Sequence, residues 1–411
     1  MALAVLAVIP SAAASTPQPT ADPALANVDT PARAKSVDLS SVPKIKTYLR
    51  SLGIDPSRAV IQRGVRNYAG PNCPGFAWNC TAARGVVVQM AQAGQNKFEC
   101  SPSGDPGPIS CTVFQENEDG SNRATCRESS DVNPVVLSCV VTQENVNGDN
   151  HATIDQNVDQ GGGATQSATV DAELFQDNVS GSNFANLSQS ISQSTSAVLS
   201  GMQSQDADFF ADVDQDTDTG GNNHLQQSQT LHQSGRASGT GSILQMQTAD
   251  HFGKVDQEVG EDEEYEGYLR LAGVGLLQTT GEGFSKAHAT QFERQTLKGP
   301  DEQIQIGPMN CCGAGSQYGN PAQTHFNIHQ DSAQKASQGS ADQMSELDGS
   351  CYSTGTCSID HKATNDEDQI TVHESADDTP LFVFTRCESS EAGGGEGSGE
   401  CFSNTQTGGG S

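Results

Sequence analysis

Residues 150–160, NHATIDQNVDQ, alternate strictly between two kinds of side chain. Ile154, Gln156 and Val158 stand two positions apart, and the intervening residues of the segment are mostly Asp, Asn and Thr. A period of two places alternate side chains on one face of a β-strand, whereas an α-helix would scatter these positions around its axis. Asp, Asn, Ser and Gly also form helices poorly. The alternation therefore predicts a strand whose inward face contains glutamine.

This strand belongs to a repeat. The spacing Gln-x4-Gly-x-Asn occurs five times with unchanged offsets, and a sixth copy has Ser in place of Asn. Copies follow one another after 26 to 39 residues, or after 63 where one copy has decayed. Periods in this range are typical of stacked-repeat architectures, and Gly and Asn suit the turn between two strands. The copies run from Gln89 to Asn96, Gln115 to Asn122, Gln143 to Asn150, Gln176 to Asn183, Gln215 to Asn222 and Gln278 to Ser285.

Glutamine on a buried face needs a partner, because an unpaired buried amide costs about 2–7 kcal/mol. Equivalent glutamines of adjacent rungs would lie about 4.8 Å apart, so each amide can bond to the next in a ladder. Leu, Ile, Val and Phe make up only 74 of 411 residues and the net charge is −30, a composition typical of disorder. Ladders would let such a chain become ordered. The expected ladder residues are Gln115, Asn122, Gln143, Asn150, Gln156, Gln160, Gln176, Asn183, Gln189 and Gln193.

The repeat resembles that of curlin, the subunit of curli amyloid fibres, whose copies have the form Gln-x-Gly-x2-Asn-x-Ala-x3-Gln. Here the segment Asn-x-Ala-x3-Gln begins at Asn150 and again at Asn183. The turn between Gln and Asn is two residues longer than in curlin. The resemblance covers mainly residues 86–200, and it implies strand–turn–strand rungs stacked as a β-solenoid with Gln and Asn ladders.

Twelve cysteines and the N-terminal sequence MALAVLAVIPSAAAS both indicate export. The apolar run that ends in Ala-x-Ala fits a secretory signal, and an even number of cysteines beside it predicts disulfides. A metal site is the alternative, although no C-x-x-C pair, a usual zinc spacing, occurs in the sequence. The repeat register sets Cys111 opposite Cys126, while other pairings stay open. The disulfide candidates, all at equivalent repeat positions, are Cys100, Cys111, Cys126 and Cys139.

The fold class predicted is all-β. We expect an irregular β-solenoid or β-helix of Gln/Asn-rich strand–turn–strand repeats, with a small disulfide-rich N-terminal segment and flexible termini. A short helix is expected at residues 41–52, where Pro43 suits the first turn and Gly53 the end. The expected boundaries are 1–14 for a signal peptide, 15–40 for a linker, 41–85 for the helix and Cys-containing segment, 86–375 for the solenoid and 376–411 for a Gly-rich tail.

Four aspartates at alternating positions of DVDQDTDTGG are a candidate calcium site, because calcium prefers hard oxygen ligands. The alternative is the solvated acidic face of a strand, since the Gly and Glu positions of a calcium loop are not filled. The candidates are Asp212, Asp214, Asp216 and Asp218.

Enzymatic activity and a cofactor other than calcium are not expected. The sequence has no Gly-x-Ser-x-Gly and no phosphate-binding loop, and its carboxylates are too numerous for a catalytic pair to be singled out. The net charge of −30 disfavours nucleic acid and anionic membrane as partners, and no segment is long enough to span a bilayer. The expected partners are other copies of the chain or components of a cell surface or matrix.

Three functions follow, in order of preference. The first is a secreted, extracellular and non-catalytic structural protein of the cell surface or extracellular matrix. The second is a secreted adhesin or glycan-binding module on a β-solenoid. The third is an extracellular enzyme acting on polysaccharides from a β-helix scaffold, which rests on fold analogy alone.

Overall fold

The structure is a computed structural model of the 411-residue chain. The expected signal peptide and linker, residues 1–14 and 15–40, lie outside the residues that it describes, as does Asp218. The described residues are 41–51, 55–83, 85–102, 109–198, 201–217, 221–237, 243–259, 276–280, 284–299, 303–312, 323–336, 342–351, 356–365, 368–377, 381–390 and 398–407.

The chain divides into two compact units, Met1–Ser57 and Arg58–Ser411. The first unit contains helix α1, Val42–Ser51, close to the bounds predicted for it. Pro43 occupies its first turn, where a missing N–H costs nothing, and Arg50 lies in the last turn, where a positive charge complements the helix dipole. Within the described part of the chain, no helix has the length and apolar character needed to cross a membrane.

The second unit is built from strands, and strands account for about 76 % of the structure. The prediction of an all-β solenoid is therefore confirmed. The strands are β1 Ala59–Arg63, β2 Arg66–Ala69, β3 Asn79–Thr81, β4 Gly85–Cys100, β5 Ile109–Ser130, β6 Val135–Asn145, β7 Asn150–Gly161, β8 Thr165–Asn178, β9 Asn183–Val198, β10 Gly201–Thr217, β11 Asn222–Ala237, β12 Ile243–Val259, β13 Leu276–Thr280, β14 Phe284–Gly299, β15 Gln303–Cys312, β16 Gln323–Ala336, β17 Asp342–Cys351, β18 Thr356–Asn365, β19 Asp368–Asp377, β20 Leu381–Ser390 and β21 Ser398–Thr407.

Alternate strands pair in parallel, which produces two stacks. The first stack contains β1, the N-terminal parts of β4 and β5, and then β6, β8, β10, β12, β15 and β17. The second contains β2, the C-terminal parts of β4 and β5, and then β7, β9, β11, β14, β16 and β18. One rung of the solenoid is a strand of the first stack, a turn containing the Gly-x-Asn, and a strand of the second stack.

The core lies between the two stacks, and its described side chains form two apolar clusters. One contains Ile154 and Leu187 near the turns, and the other contains Val158 and Ile191 farther along the same strands. Gln156 is fully buried between Ile154 and Val158 on the inward face of β7. The inward alternation predicted from the sequence thus produces an amide layer between two apolar layers.

The C-terminal strands depart from the repeat. Strand β19 pairs antiparallel with β18, β20 with β17, and β21 with β20. Strands β20 and β21 lie in the segment 376–411, for which the sequence predicts a flexible Gly-rich tail. The run Leu381–Phe384, LFVF, has a high β-propensity, and it forms a strand despite the glycines that follow. These antiparallel strands cover both stacks at the C-terminal end.

Candidate functional site

The first glutamine of each repeat forms one continuous ladder in the first stack. Gln143 is typical: its Nε2 donates to Gln115 Oε1 at 2.7 Å and to the backbone oxygen of His151 at 2.9 Å. From Gln89 onward, each side chain in this ladder bonds to the glutamine of the preceding rung and to a backbone oxygen of the second stack. The ladder contains Gln62, Gln89, Gln115, Gln143, Gln176 and Gln215.

The asparagine of each repeat forms a second ladder, in which the donors point the opposite way. Asn122 Nδ2 donates to Asn150 Oδ1 of the following rung at 3.0 Å and to the backbone oxygen of Glu144 at 2.8 Å. The fifth copy differs from the sequence interpretation, because Asn223 rather than Asn222 joins this ladder. Its turn contains one extra residue, and a repeat defined by a constant spacing between Gln and Asn does not reveal such an insertion. The ladder contains Asn67, Asn96, Asn122, Asn150, Asn183 and Asn223.

Three further glutamine ladders lie deeper along the strands. Gln189 Nε2 donates to Gln156 Oε1 at 2.9 Å and to the backbone oxygen of Phe210 at 2.7 Å, and Gln193 Nε2 donates to Gln160 Oε1 at 2.9 Å. The sequence did not single out the third of them, although its glutamines recur in register. The three ladders are Gln156, Gln189 and Gln229; Gln160, Gln193 and Gln233; and Gln166, Gln205 and Gln247.

The glycine of each repeat is required because successive turns lie against each other. A Cβ on Gly148 would lie 1.6 Å from the carbonyl oxygen of Gly120, and one on Gly181 would lie 1.9 Å from that of Gly148. The same carbonyl groups accept hydrogen bonds, as Asn145 Nδ2 shows by donating to Gly120 O at 2.9 Å. In three copies of the repeat an asparagine stands two residues after the glutamine and donates to the glycine carbonyl of the preceding rung: Asn117, Asn145 and Asn178.

The four cysteines singled out in the first rungs form two disulfides, Cys100–Cys111 and Cys126–Cys139. The expected Cys111–Cys126 link is not the one formed. Each disulfide joins the end of a second-stack strand to the first-stack strand of the following rung, with Cα atoms 6.1 and 6.6 Å apart. Cys111 and Cys126 are connected by the turn within one rung, whereas the disulfides form across the connection in which the chain advances to the next rung. A third disulfide joins Cys73 to Cys80.

Glu128 stands where later rungs have the glutamine of a ladder. It is paired in register with Gln156, whose Nε2 donates to Glu128 Oε2 at 2.8 Å. The side chain is 1 % exposed, and its other oxygen, Oε1, has no hydrogen-bond partner in the structure. Burial raises the pKa of this carboxyl to about 8, because charging it away from water is unfavourable.

The outward face of the first stack is acidic. Asp212, Asp214 and Asp216 lie on this face of β10, two residues apart, and Asp212 is in register with Glu173 of β8. Burial, followed by repulsion from neighbouring carboxylates, raises the pKa of Asp171 to about 6 and that of Glu173 to about 7. The candidate calcium residues within the described chain are therefore part of a larger acidic face that includes β8.

The outward face of the second stack has a groove of about 450 Å³. One wall is a column of basic and aromatic side chains, one from each rung. His151 and Phe184 stack with ring centroids 4.9 Å apart, while Lys97 forms an ion pair with Glu99 at 2.7 Å. The next outward column, of Glu, Thr, Asn and Gln side chains, and the alanines between the two columns line the rest of the groove. The wall consists of Lys97, Arg123, His151, Phe184 and His224, and the adjacent column of Glu99, Thr125, Thr153, Asn186 and Gln226.

No protein-family model, no curated protein and no solved structure matches this chain.

Proposed function

We propose that the protein is a secreted structural component of a cell surface or extracellular matrix, and that it acts through its stacked rungs rather than through catalysis. The resemblance to curlin repeats supports the same proposal, as do the three disulfides found among the described residues, since disulfides are typical of proteins in oxidising compartments.

The observation that carries this proposal is the use made of the repeated polar residues. The glutamines and asparagines that define the repeat point inward and bond to their equivalents in adjacent rungs. Residues that recur for a binding or catalytic purpose would have to reach a ligand. Because these side chains are buried and paired with each other, the repeat serves the architecture.

The two ends of the solenoid bear on whether it assembles further. At the N-terminal end, Gln62 Nε2 donates to the backbone oxygen of Tyr68 at 3.0 Å, and Asn79 Nδ2 donates to Asn67 Oδ1 at 3.3 Å. At the C-terminal end the antiparallel strands β19, β20 and β21 pair with the last rungs. Since unpaired strand edges template association, we infer that the full-length protein is a capped monomer and that removal of a cap promotes filaments.

Light scattering and electron microscopy of the purified protein at low salt test this function. A chain that lacks residues 368–411, and so lacks β19 to β21, should form filaments, whereas the full-length chain should remain monomeric. A chain that lacks residues 15–40 is the matched control and should behave as the full-length protein. Filaments of the full-length chain at the same rate as the shortened one would reject the capping and favour a curlin-like fibre subunit.

A second candidate function is glycan binding, and the groove on the second stack favours it. Its wall combines Arg123 and Lys97 with the aromatic ring of Phe184, in a chain that is otherwise strongly acidic. Basic groups suit the carboxylates or sulfates of an acidic polysaccharide, and the Thr and Asn side chains of the adjacent column suit its hydroxyl groups.

Retention on a panel of acidic and neutral polysaccharides tests the second candidate. The variant Arg123→Ser/Phe184→Ser should lose retention on acidic polysaccharides. Phe210→Ser is a matched control, because Phe210 is 39 % exposed on the other stack and Phe184 is 37 % exposed. Equal retention of both variants, or no saturable retention of the native chain, would exclude the groove as a glycan site.

A further inference from the structure

The solenoid brings together cysteines that are far apart in the sequence. Cys100 and Cys126 are in register in the second stack, as are Cys111 and Cys139 in the first. Their separations of 26 and 28 residues equal the lengths of the two rungs. A zinc site is usually recognised by cysteines two to four residues apart. Here the rung period replaces that local spacing and creates a buried group of four sulfur atoms.

Glu128 completes this group. One oxygen of its carboxyl group and the Sγ atoms of Cys111 and Cys126 all lie within 4.8 Å of one another, and all three residues are buried. Oε1 has no hydrogen-bond partner, although the side chain is 1 % exposed. A buried carboxyl oxygen without a partner is unfavourable, so the residue that approaches the two sulfur atoms also carries an unsatisfied acceptor.

We propose that the reduced form of this cysteine column is a binding site for one zinc-like cation. Cys111, Cys126 and Glu128 would supply three ligands, and one of the outer thiolates, Cys100 or Cys139, would supply the fourth. Thiolate sulfur selects zinc over calcium or magnesium, which prefer oxygen. A tetrahedral site with Zn–S bonds of about 2.3 Å separates its sulfur atoms by about 3.8 Å, which is compatible with the separation of up to 4.8 Å between the central ligand atoms.

The chemical balance requires a reductant. With a water-soluble phosphine, each disulfide accepts two electrons from phosphorus and becomes two thiols. The phosphine is oxidised to its oxide, and water supplies the oxygen atom and the two protons. The cation then displaces the protons of the coordinating thiols into solvent. The oxidised protein, with both disulfides intact, has no thiolate to offer in this column and should not bind the cation there.

Cobalt titration of the full-length protein tests the site, because Co²⁺ bound to thiolates absorbs in the near-ultraviolet and visible. The phosphine-reduced protein, handled without oxygen, should develop these bands and saturate at about one equivalent for the column, and Zn²⁺ should abolish them. The oxidised protein should not develop them. Circular dichroism in the same titration should show the strand signal retained, or restored by the metal if reduction weakens it.

Variants separate this site from the other cysteines. Cys73→Ser/Cys80→Ser removes the remaining N-terminal pair and should leave the titration unchanged. Replacing Cys100, Cys111, Cys126 and Cys139 with Ser should abolish the column's equivalent while retaining the six C-terminal cysteines. Glu128→Gln conserves the size of the side chain but removes the carboxylate, and should weaken binding at least tenfold.

Three results would overturn the proposal. The first is the absence of thiolate bands in the reduced native chain. The second is an equal titration of the four-serine variant, which would assign the bands to other cysteines. The third is unchanged affinity of Glu128→Gln, a variant that does not depend on the folding of the cysteine substitutions and that would reject the proposed ligand set.

Discussion

The first rungs, up to Asn145, and the following rungs, from Asn150 onward, fill equivalent inward positions differently. Cys126 is in register with Ile154, and Cys139 with Ala172. Glu128, similarly, precedes Gln156 in the column that continues as an amide ladder. The backbone register is the same in both regions. One inward position of the rung therefore accepts either a disulfide or an apolar pair, and the position two residues farther along the strand accepts either a carboxyl group or a bonded amide.

The largest effect should come from interrupting an amide ladder. In Gln189→Leu, Gln156 Oε1, the backbone oxygen of Phe210 and the amide of Gln229 all lose the partner that Gln189 provides. Leaving such buried groups unpaired should reduce the free energy of unfolding by on the order of 4 kcal/mol. Denaturant titration measures the loss, and Asn186→Leu on the exposed face of the same strand is the control. Similar losses for both variants would mean that the ladders do not support the later rungs.

A disulfide should matter somewhat less. Cys126→Ala/Cys139→Ala should lower the free energy of unfolding by about 2–4 kcal/mol. The variant Cys126→Ile/Cys139→Ala gives this rung the side chains of its successors, Ile154 and Ala172, and should recover part of that loss by apolar burial. Denaturant titration of the two double variants compares covalent and apolar filling directly. If the isoleucine variant were the less stable of the two, the equivalence of the positions would be wrong.

Substitution of a glycine in the turns should reduce stability less than interruption of a ladder. Gly148→Ala places a methyl group 1.6 Å from the carbonyl oxygen of Gly120, so successive turns must separate, at a cost on the order of 2 kcal/mol. Gly161→Ala is the control, because its Cβ would meet nothing within 4 Å. Thermal unfolding distinguishes the two, and an unchanged melting temperature for Gly148→Ala would show that the turns are not in contact.

The smallest effect concerns pH. At the place of Glu173, the preceding rungs carry Val140 and Thr112, so only the later rungs have this carboxylate. Burial and the neighbouring Asp171 and Asp212 raise the pKa of Glu173 to about 7 from 4.5. The folded protein thus holds this proton more tightly than the unfolded chain, and its stability should fall as pH rises from about 4.5 to about 7.

Replacing the carboxyl group tests this pH dependence. Glu173→Gln should reduce the slope of unfolding free energy against pH between pH 4.5 and 7, and Asp159→Asn, on an exposed part of the other stack, is the control for the loss of one carboxylate. Denaturant titrations at several pH values provide the slope. If the free energy of unfolding of the native protein rose with pH over this range, or if Glu173→Gln left its pH dependence unchanged, the raised pKa of Glu173 would be contradicted.

The sequence predicts the inward face and the ladders because their offsets are short and constant. Gln156 and Gln189 both stand six residues after the repeat's Asn, and Glu128 stands six after Asn122. The same offset could therefore have identified Glu128 as a member of a ladder column. The disulfide pairing could not be predicted because it depends on distances between rungs. The disulfide partners follow from the loop in which the chain advances, and that loop contains no repeat signal.

The outer groove was not predicted from the sequence for a different reason. Its wall residues Lys97, Arg123 and His151 each follow the repeat's Asn directly, so the column itself can be derived once the register is known. Their identities differ from rung to rung, and no periodic pattern marks them as a surface. The strands β20 and β21 were missed because composition described the Gly-rich segments around them rather than the short apolar run within them.

Because the ladders point in opposite directions along the stack, the net dipole of their side-chain amides differs between the first and the later rungs. In the first rungs, the glutamine donors and the donor of Asn145 point to the preceding rung, whereas the donors of the asparagine ladder point to the following one, so the side-chain amide dipoles cancel only in part. Among the described side chains from Gln156 onward, three more glutamine ladders point backward, and one asparagine ladder points forward. Hydrogen-bonded amides in a chain polarise one another. The later rungs thus have a net side-chain dipole whose oxygen end faces the C-terminal strands, and each new rung donates to one already in place.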